Sequence, residues 1–167
     1  VGDGAERERI LSERDRMGLN NVIMLPQQSK DMVPQILAAS DACMVLLRRT
    51  ELFKTVIPSK IFEAMAMERP ILLGVEGESR GIIERSECGI AVEPENAAAL
   101  AEGVMALFSD PERAAHMGRN GAAWVRQYYD RDALAARYLD ILTDVRSGRR
   151  HFAESASPIT VNDGGTR

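Results

Sequence analysis

Cysteine is scarce in this 167-residue sequence: only Cys43 and Cys88 occur, each inside an apolar stretch and neither with Cys or His neighbours at metal-ligand spacing. That argues against a zinc site or a vicinal redox pair, and both read as buried thiols of a reducing cytosol. Histidine is equally scarce, and His116 and His151 have no Cys, Asp or Glu at catalytic spacing. Neither is assigned to catalysis. An excess of cations is also missing, since 21 Lys and Arg stand against 25 Asp and Glu for a formal net charge of −4. No broad electrostatic footprint for DNA or RNA follows from that balance. No apolar run approaches the ~18–20 residues that span a bilayer, and the amino end is too charged for the apolar core of a secretory signal. What is present suits one globular domain with a sizeable core: 45% hydrophobic and 28% charged residues.

Along the chain, short apolar runs alternate with helical patterns. Val1-Gly-Asp-Gly4 lacks an initiating Met and reads as the end of a strand turning into a charged helix over residues 5–17, which Gly18 stops. A chain opening on a strand end is expected to come from something longer. Residues 21–25 read as a buried strand, Asp31 as the cap of a helix with Met32, Val33, Ile36 and Leu37, and residues 43–47 as another strand. A helix over 59–68, a strand over 70–74, a short helix over 81–85 closed by Cys88-Gly89, and a strand over 90–92 follow. Uniformly apolar strands separated by helices predict a parallel sheet covered on both faces, an α/β Rossmann-like three-layer fold. Beyond Pro94 the pattern is helical: Asn96 caps one helix, Asp110-Pro111-Glu112 opens a second, and residues from about Asp130 form an amphipathic third with Leu134, Tyr138, Ile141, Leu142 and Val145 on one face. Residues 1–145 are read as the domain and 146–167 as a flexible tail.

The informative stretch is 55–73, Thr-Val-Ile-Pro-Ser-Lys-Ile-Phe-Glu-Ala-Met-Ala-Met-Glu-Arg-Pro-Ile-Leu-Leu. It lies between two expected strands, so the turn entering its helix belongs at the carboxyl edge of the sheet, where open α/β folds bind ligands. Ser59 is expected to cap that helix, whose first N–H groups and dipole favour a phosphate; Lys60 adds a positive charge. Glu63, one turn on, can accept from the two hydroxyls of a ribose. Together they describe a nucleoside diphosphate site, against the alternative of a stabilising Glu and a solvated Lys at an ordinary helix start.

The run from Pro58 to Leu72 resembles the segment of retaining, family-4-type (group 1) glycosyltransferases of GT-B architecture, in which a glutamate is followed by Ala-Met-Ala and a Pro-led strand. Val1-Gly-Asp-Gly4, residues 19–26, residues 88–94 and Met117-Gly118 are similar to further landmarks of the family in order and spacing. Pro58-Ser59-Lys60 is similar to a subgroup associated with surface-polysaccharide and O-antigen assembly. The resemblance covers about residues 1–145 and only the carboxyl-terminal, donor-binding lobe, beginning after that lobe's first strand.

The resemblance implies that Glu63 holds the donor ribose as the second glutamate of an E-x7-E pattern, while Thr55 stands where the first glutamate would contact the donor sugar. Ser59 and Lys60 fall near the diphosphate, and Pro26 and Gln27 beside the base. Glu78, in the loop after the 70–74 strand, is a secondary candidate for a sugar hydroxyl. No metal, cofactor or catalytic residue is expected in this segment; the donor is a nucleoside diphosphate sugar, and a glycan or lipid-linked acceptor belongs to the amino-terminal lobe. A cytoplasmic site is expected, with the inner membrane face left open through Arg146, Arg149 and Arg150, though a solvated tail is preferred for those three. Trp124, Tyr128 and Tyr129 read as packing anchors. A sugar-nucleotide epimerase of the same architecture and a non-catalytic nucleotide-sugar-binding module are the competing readings. A receiver-like module is disfavoured because residues 43–47 run into Arg48-Arg49 with no Asp.

Overall fold

The computed structural model describes residues 1–147. Three parallel strands, β1 (Cys43–Leu46), β2 (Ile71–Gly74) and β3 (Gly89–Ala91), form one sheet in the order β1-β2-β3. Cys43 aligns with Ile71 and Ile71 with Gly89. Eight helices accompany them: α1 (Arg7–Arg16), α2 (Val33–Ala38), α3 (Glu51–Lys54), α4 (Lys60–Ala66), α5 (Glu78–Ser86), α6 (Ala97–Ser109), α7 (Pro111–Tyr128) and α8 (Arg131–Arg146). The expected α/β architecture, a parallel sheet with a helical carboxyl-terminal part, is present.

Alternation along the strands decides the layers. Val45, Ile71 and Leu73 point to one face, where they pack with Ile61, Ala64 and Met65 of α4, Ile82 and Ile83 of α5, Cys88 and Val125 of α7. Leu72 points to the other face, against α6 at Gly103. All four residues of β2 are therefore buried, and each large side chain contributes about 1.5–3 kcal/mol by leaving water. Helix α7 comes close to the end of α4 because position 118 is glycine: a Cβ there would lie 2.1 Å from the carbonyl oxygen of Glu68. Asn96 and Asp110 cap α6 and α7 as expected, accepting from the N–H of Ala99 and Arg113 at 3.0 and 2.9 Å, and Asp130 caps α8 in the same way, accepting from the Ala133 N–H at 2.9 Å.

Several expectations fail for identifiable reasons. Residues 21–25 form no strand; one bond, from the Gly2 N–H to the Leu25 carbonyl at 3.2 Å, ties them to the amino end. A strand needs a ladder of partners, and neither segment reaches the sheet. Asp31 caps nothing: it lies inside a 3₁₀ turn, Lys30–Met32, that leads into α2. The 81–85 helix is longer, beginning at Glu78 and ending on Glu87 in the left-handed region rather than on Cys88-Gly89. The sheet is not covered throughout, since Met44 and Leu46 of β1 remain 58% and 48% exposed. Helix α8 likewise buries none of its side chains, so its apolar face has no partner among the described residues. The short helix α3 lies where no element was expected.

Candidate functional site at the carboxyl edge

Because the strands are parallel, the starts of α4, α5 and α6 gather at one edge, beyond the carboxyl ends of the strands. The connection from β1 to α4 carries Thr55 and Ser59, and the first turn of α4 carries Lys60 and Glu63. Thr50 caps α3 by accepting from the Phe53 N–H at 3.3 Å, and Thr55 closes it, its hydroxyl donating to the Leu52 carbonyl at 3.0 Å. Pro58 and Ser59 then lead into α4.

Ser59 does not act as the expected cap. Its backbone is already helical (φ −55°, ψ −27°) and its side chain accepts no capping bond. Instead its carbonyl accepts from the N–H groups of Phe62 and Glu63 at 3.0 and 3.2 Å, while Pro58 accepts from Ile61 at 3.1 Å. The tightened first turn leaves the N–H groups of Ser59 and Lys60 without a backbone acceptor, fewer free donors than a fully open helix start. The side chains of Lys60 and Glu63 are exposed, lie one turn apart, and have no ion pair or hydrogen-bond partner among the described residues.

Glu78 occupies the first turn of α5 rather than a loop and is half-buried. Pro26 and Gln27 lie on the extended segment after residue 25, where the Pro26 carbonyl accepts from Gln28 Nε2 at 3.1 Å and Gln27 is exposed. No hydrogen bond or ion pair among the described residues joins them to the start of α4.

The same edge holds an ionic cluster that sequence reasoning missed. Arg49, just beyond β1, reaches Glu76 after β2 at 3.4 Å and Glu93 after β3 at 3.2 Å, and its N–H donates to Glu95 at 3.4 Å. Lys54 pairs with Glu51 at 2.7 Å and lies 4.0 Å from Glu76. The hydrogen bond to Glu51, then the charges of Glu51 and Glu76, hold the Lys54 ammonium above its ordinary pKa. The signal was present as charged residues directly after each apolar strand, but only the parallel register shows that they meet. A cavity of about 370 Å³ opens beside this cluster, lined by Leu46, Arg48, Gly74, Val92, Glu95 and Leu100. A larger one, about 640 Å³, lies at the amino ends of the strands between Met44, Leu72, Val104, Phe108 and Arg119, away from the expected site.

Among the described residues no three His, Cys, Asp or Glu side chains are grouped to hold a metal ion. Both cysteines are free, and burial pushes their thiols up. The rings of Tyr129 and Phe62 of α4 meet tilted with centroids 4.4 Å apart, and those of Trp124 and Tyr128 at 4.7 Å; Trp124 and Tyr129 pack against the core. Arg149, Arg150 and His151 lie outside the described residues, and no described helix is long and apolar enough to cross a membrane.

A parallel sheet between helices, with helix starts converging on its carboxyl edge, is an open α/β domain of the Rossmann-like kind, whose ligands bind where the strands end. The chain belongs to the glycosyl transferases group 1 family, whose sequence profile matches residues 1–124. It is 31% identical over 80 residues to a GDP-mannose-dependent alpha-(1-6)-phosphatidylinositol monomannoside mannosyltransferase of Mycobacterium tuberculosis, a stretch of 48% of this chain and 21% of that protein. It is 30% identical over 107 residues to the putative colanic acid biosynthesis glycosyl transferase WcaI of Escherichia coli K12, 62% of this chain and 26% of that one. The matched stretches thus span about a quarter of these relatives or less. Among solved structures, Anabaena Alr3699/HepE in complex with UDP-glucose superposes with a TM-score of 0.74 at 23% identity, over 86% of this chain and 40% of that one. Sucrose-phosphate synthase from Thermosynechococcus elongatus gives 0.71 at 23%, over 87% and 35%.

Proposed function

We propose that residues 1–145 form the donor-binding lobe of a retaining glycosyltransferase that moves a sugar from a nucleoside diphosphate to a glycan or lipid-linked acceptor. The observation that carries this reading is the pair Lys60 and Glu63: a cation and a carboxylate, exposed and unpaired, one turn apart at the carboxyl edge of a group 1 glycosyl transferase domain. An unpaired carboxylate there is free to accept from both ribose hydroxyls, and the ammonium to meet the diphosphate. The open N–H groups of Ser59 and Lys60 add donors to the same phosphate oxygens.

In this reading Thr55 faces the donor sugar with a short neutral hydroxyl in place of the family's glutamate, Pro26 and Gln27 flank the base, and Glu78 reaches a sugar hydroxyl. Catalysis rests on holding the donor in place and on stabilising the leaving diphosphate as charge develops on it. The acceptor, and any group facing the reacting carbon from across the cleft, belongs to an amino-terminal lobe. Synthesis of surface polysaccharide in the cytoplasm is the setting we assign.

The base is left to experiment, because one relative is named for GDP-mannose and one structural neighbour holds UDP-glucose. Calorimetric titration of the 167-residue chain with UDP, GDP and ADP and their glucose or mannose esters tests the reading. We expect one base to bind with a Kd on the order of 10 μM to 1 mM, roughly 4–7 kcal/mol. Absence of binding for the whole panel at millimolar concentration would refute the donor site.

A further inference from the structure

The connection from β1 to α4 is long, and its fastenings are concentrated on either side of Thr55. On one side, Gly77 (φ +74°) brings its Cα against the Lys54 peptide so closely that a Cβ would lie 2.0 Å from the Lys54 oxygen. On the other, the Ser79 hydroxyl donates to the Val56 carbonyl at 3.0 Å. Ser79 is fully buried, and a buried hydroxyl at a helix start ordinarily bonds within its own turn. Here it reaches across 23 residues instead. Glu76 adds a third fastening, between Arg49 and Lys54. All three come from residues 76–79, the end of the β2–α5 turn and the first turn of α5.

We propose that Ser79 is a positioning residue for donor binding: with Gly77 and Glu76 it straps the residues flanking Thr55 to the start of α5 and so fixes Thr55 against the donor sugar. This rests on the donor-site reading and extends it to the sugar subsite. The strap acts through residue 55 and not through Lys60 or Glu63, so its loss falls on the sugar and spares the diphosphate. The separation follows from geometry: Lys60 and Glu63 are carried by α4, which is anchored independently through the buried Ile61, Ala64 and Met65.

The test compares the parent chain with Ser79→Ala and Glu76→Gln, each titrated with UDP-glucose against UDP and GDP-mannose against GDP, alongside amide exchange over residues 49–59. Ser79→Ala is expected to weaken the sugar nucleotide about fivefold to tenfold, the size of one hydrogen bond's contribution, and the free diphosphate less than about twofold. Glu76→Gln, a partly exposed change that leaves the core alone, should act in the same direction by about twofold to threefold, in keeping with a partly solvated ion pair. Faster exchange should be confined to residues 49–59, with β2 and α5 unchanged. Equal losses for sugar nucleotide and diphosphate in both variants, or no loss in either, would overturn the strap while leaving the donor site in place. Failure of the parent chain to bind these four probes and also ADP and ADP-glucose would overturn the donor-site reading, and the strap with it.

Discussion

Replacing Glu63 by Gln separates a ligand role from a structural one, because the structure makes the two consequences unequal. The side chain is exposed and has no described partner. Its stability contribution is limited to a carboxylate in the first turn of a helix, about 0.3–1 kcal/mol, and an i,i+3 neighbour, Lys60, of about 0.2–0.5 kcal/mol. A loss near 1 kcal/mol lowers the melting temperature by about 2–4 °C in a domain of this size. Binding is different. A carboxylate accepting from ribose hydroxyls contributes about 1.5–3 kcal/mol through charge-assisted bonds, and the amide that replaces it keeps the shape but not the charge. Affinity for the nucleoside diphosphate should therefore fall about 10- to 150-fold while the fold is nearly unchanged. Calorimetry and a thermal melt on the same samples decide the matter. Equal affinity for parent and variant, with both folded, would remove Glu63 from the ribose; a large fall in melting temperature would show that the charge serves the fold.

Lys60→Ala should weaken diphosphate binding more than nucleoside binding, with the difference shrinking as salt is raised; equal losses would mean that Lys60 faces elsewhere. Gly118→Ala places a methyl group 2.1 Å from the Glu68 oxygen, so α7 must move off α4 and stability should fall by about 2–3 kcal/mol in urea unfolding; an unchanged midpoint would refute that packing. Burial raises the pKa of both thiols, so little thiolate exists at pH 8, and iodoacetamide should modify Cys88 more slowly than Cys43 and both more slowly than free cysteine. Rates matching free cysteine would put the thiols at the surface. The 167-residue chain should bind donor yet transfer no sugar to a membrane extract, because one lobe leaves the diphosphate open to water; efficient transfer by this chain would overturn the half-enzyme reading.

How far the sequence could be read follows from what each signal reports. Apolar runs at 43–47, 70–74 and 90–92 became strands because each has a parallel neighbour to complete its hydrogen bonds, and Asn96 and Asp110 became caps because capping depends on a few local bonds. Residues 21–25 are as apolar as β1, but pattern says nothing about whether a partner strand lies alongside, and none does. Ser59 has the chemistry of a cap, yet Pro58 before it lets the helix tighten one residue earlier and the hydroxyl is bypassed. At the candidate site, Lys60 and Glu63 were legible as neighbours on one turn, a local relation. The meeting of Arg49 with Glu76 and Glu93, and of Ser79 with Val56, depends on register across the sheet and on a buried hydroxyl reaching 23 residues away. No local pattern encodes such contacts.

In the proposed donor site a nucleotide sugar lies on the turn from Thr55 to Glu63. Amide chemical shifts of the labelled chain, followed during titration with the sugar nucleotide that binds best, report on it residue by residue. Saturable shifts are expected at residues 55–63, smaller ones at 26–27 and 76–79, and none around Val104 and Phe108 at the amino ends of the strands. Shifts confined to that opposite cavity, or saturable binding that leaves residues 55–63 unmoved, would contradict the proposed site.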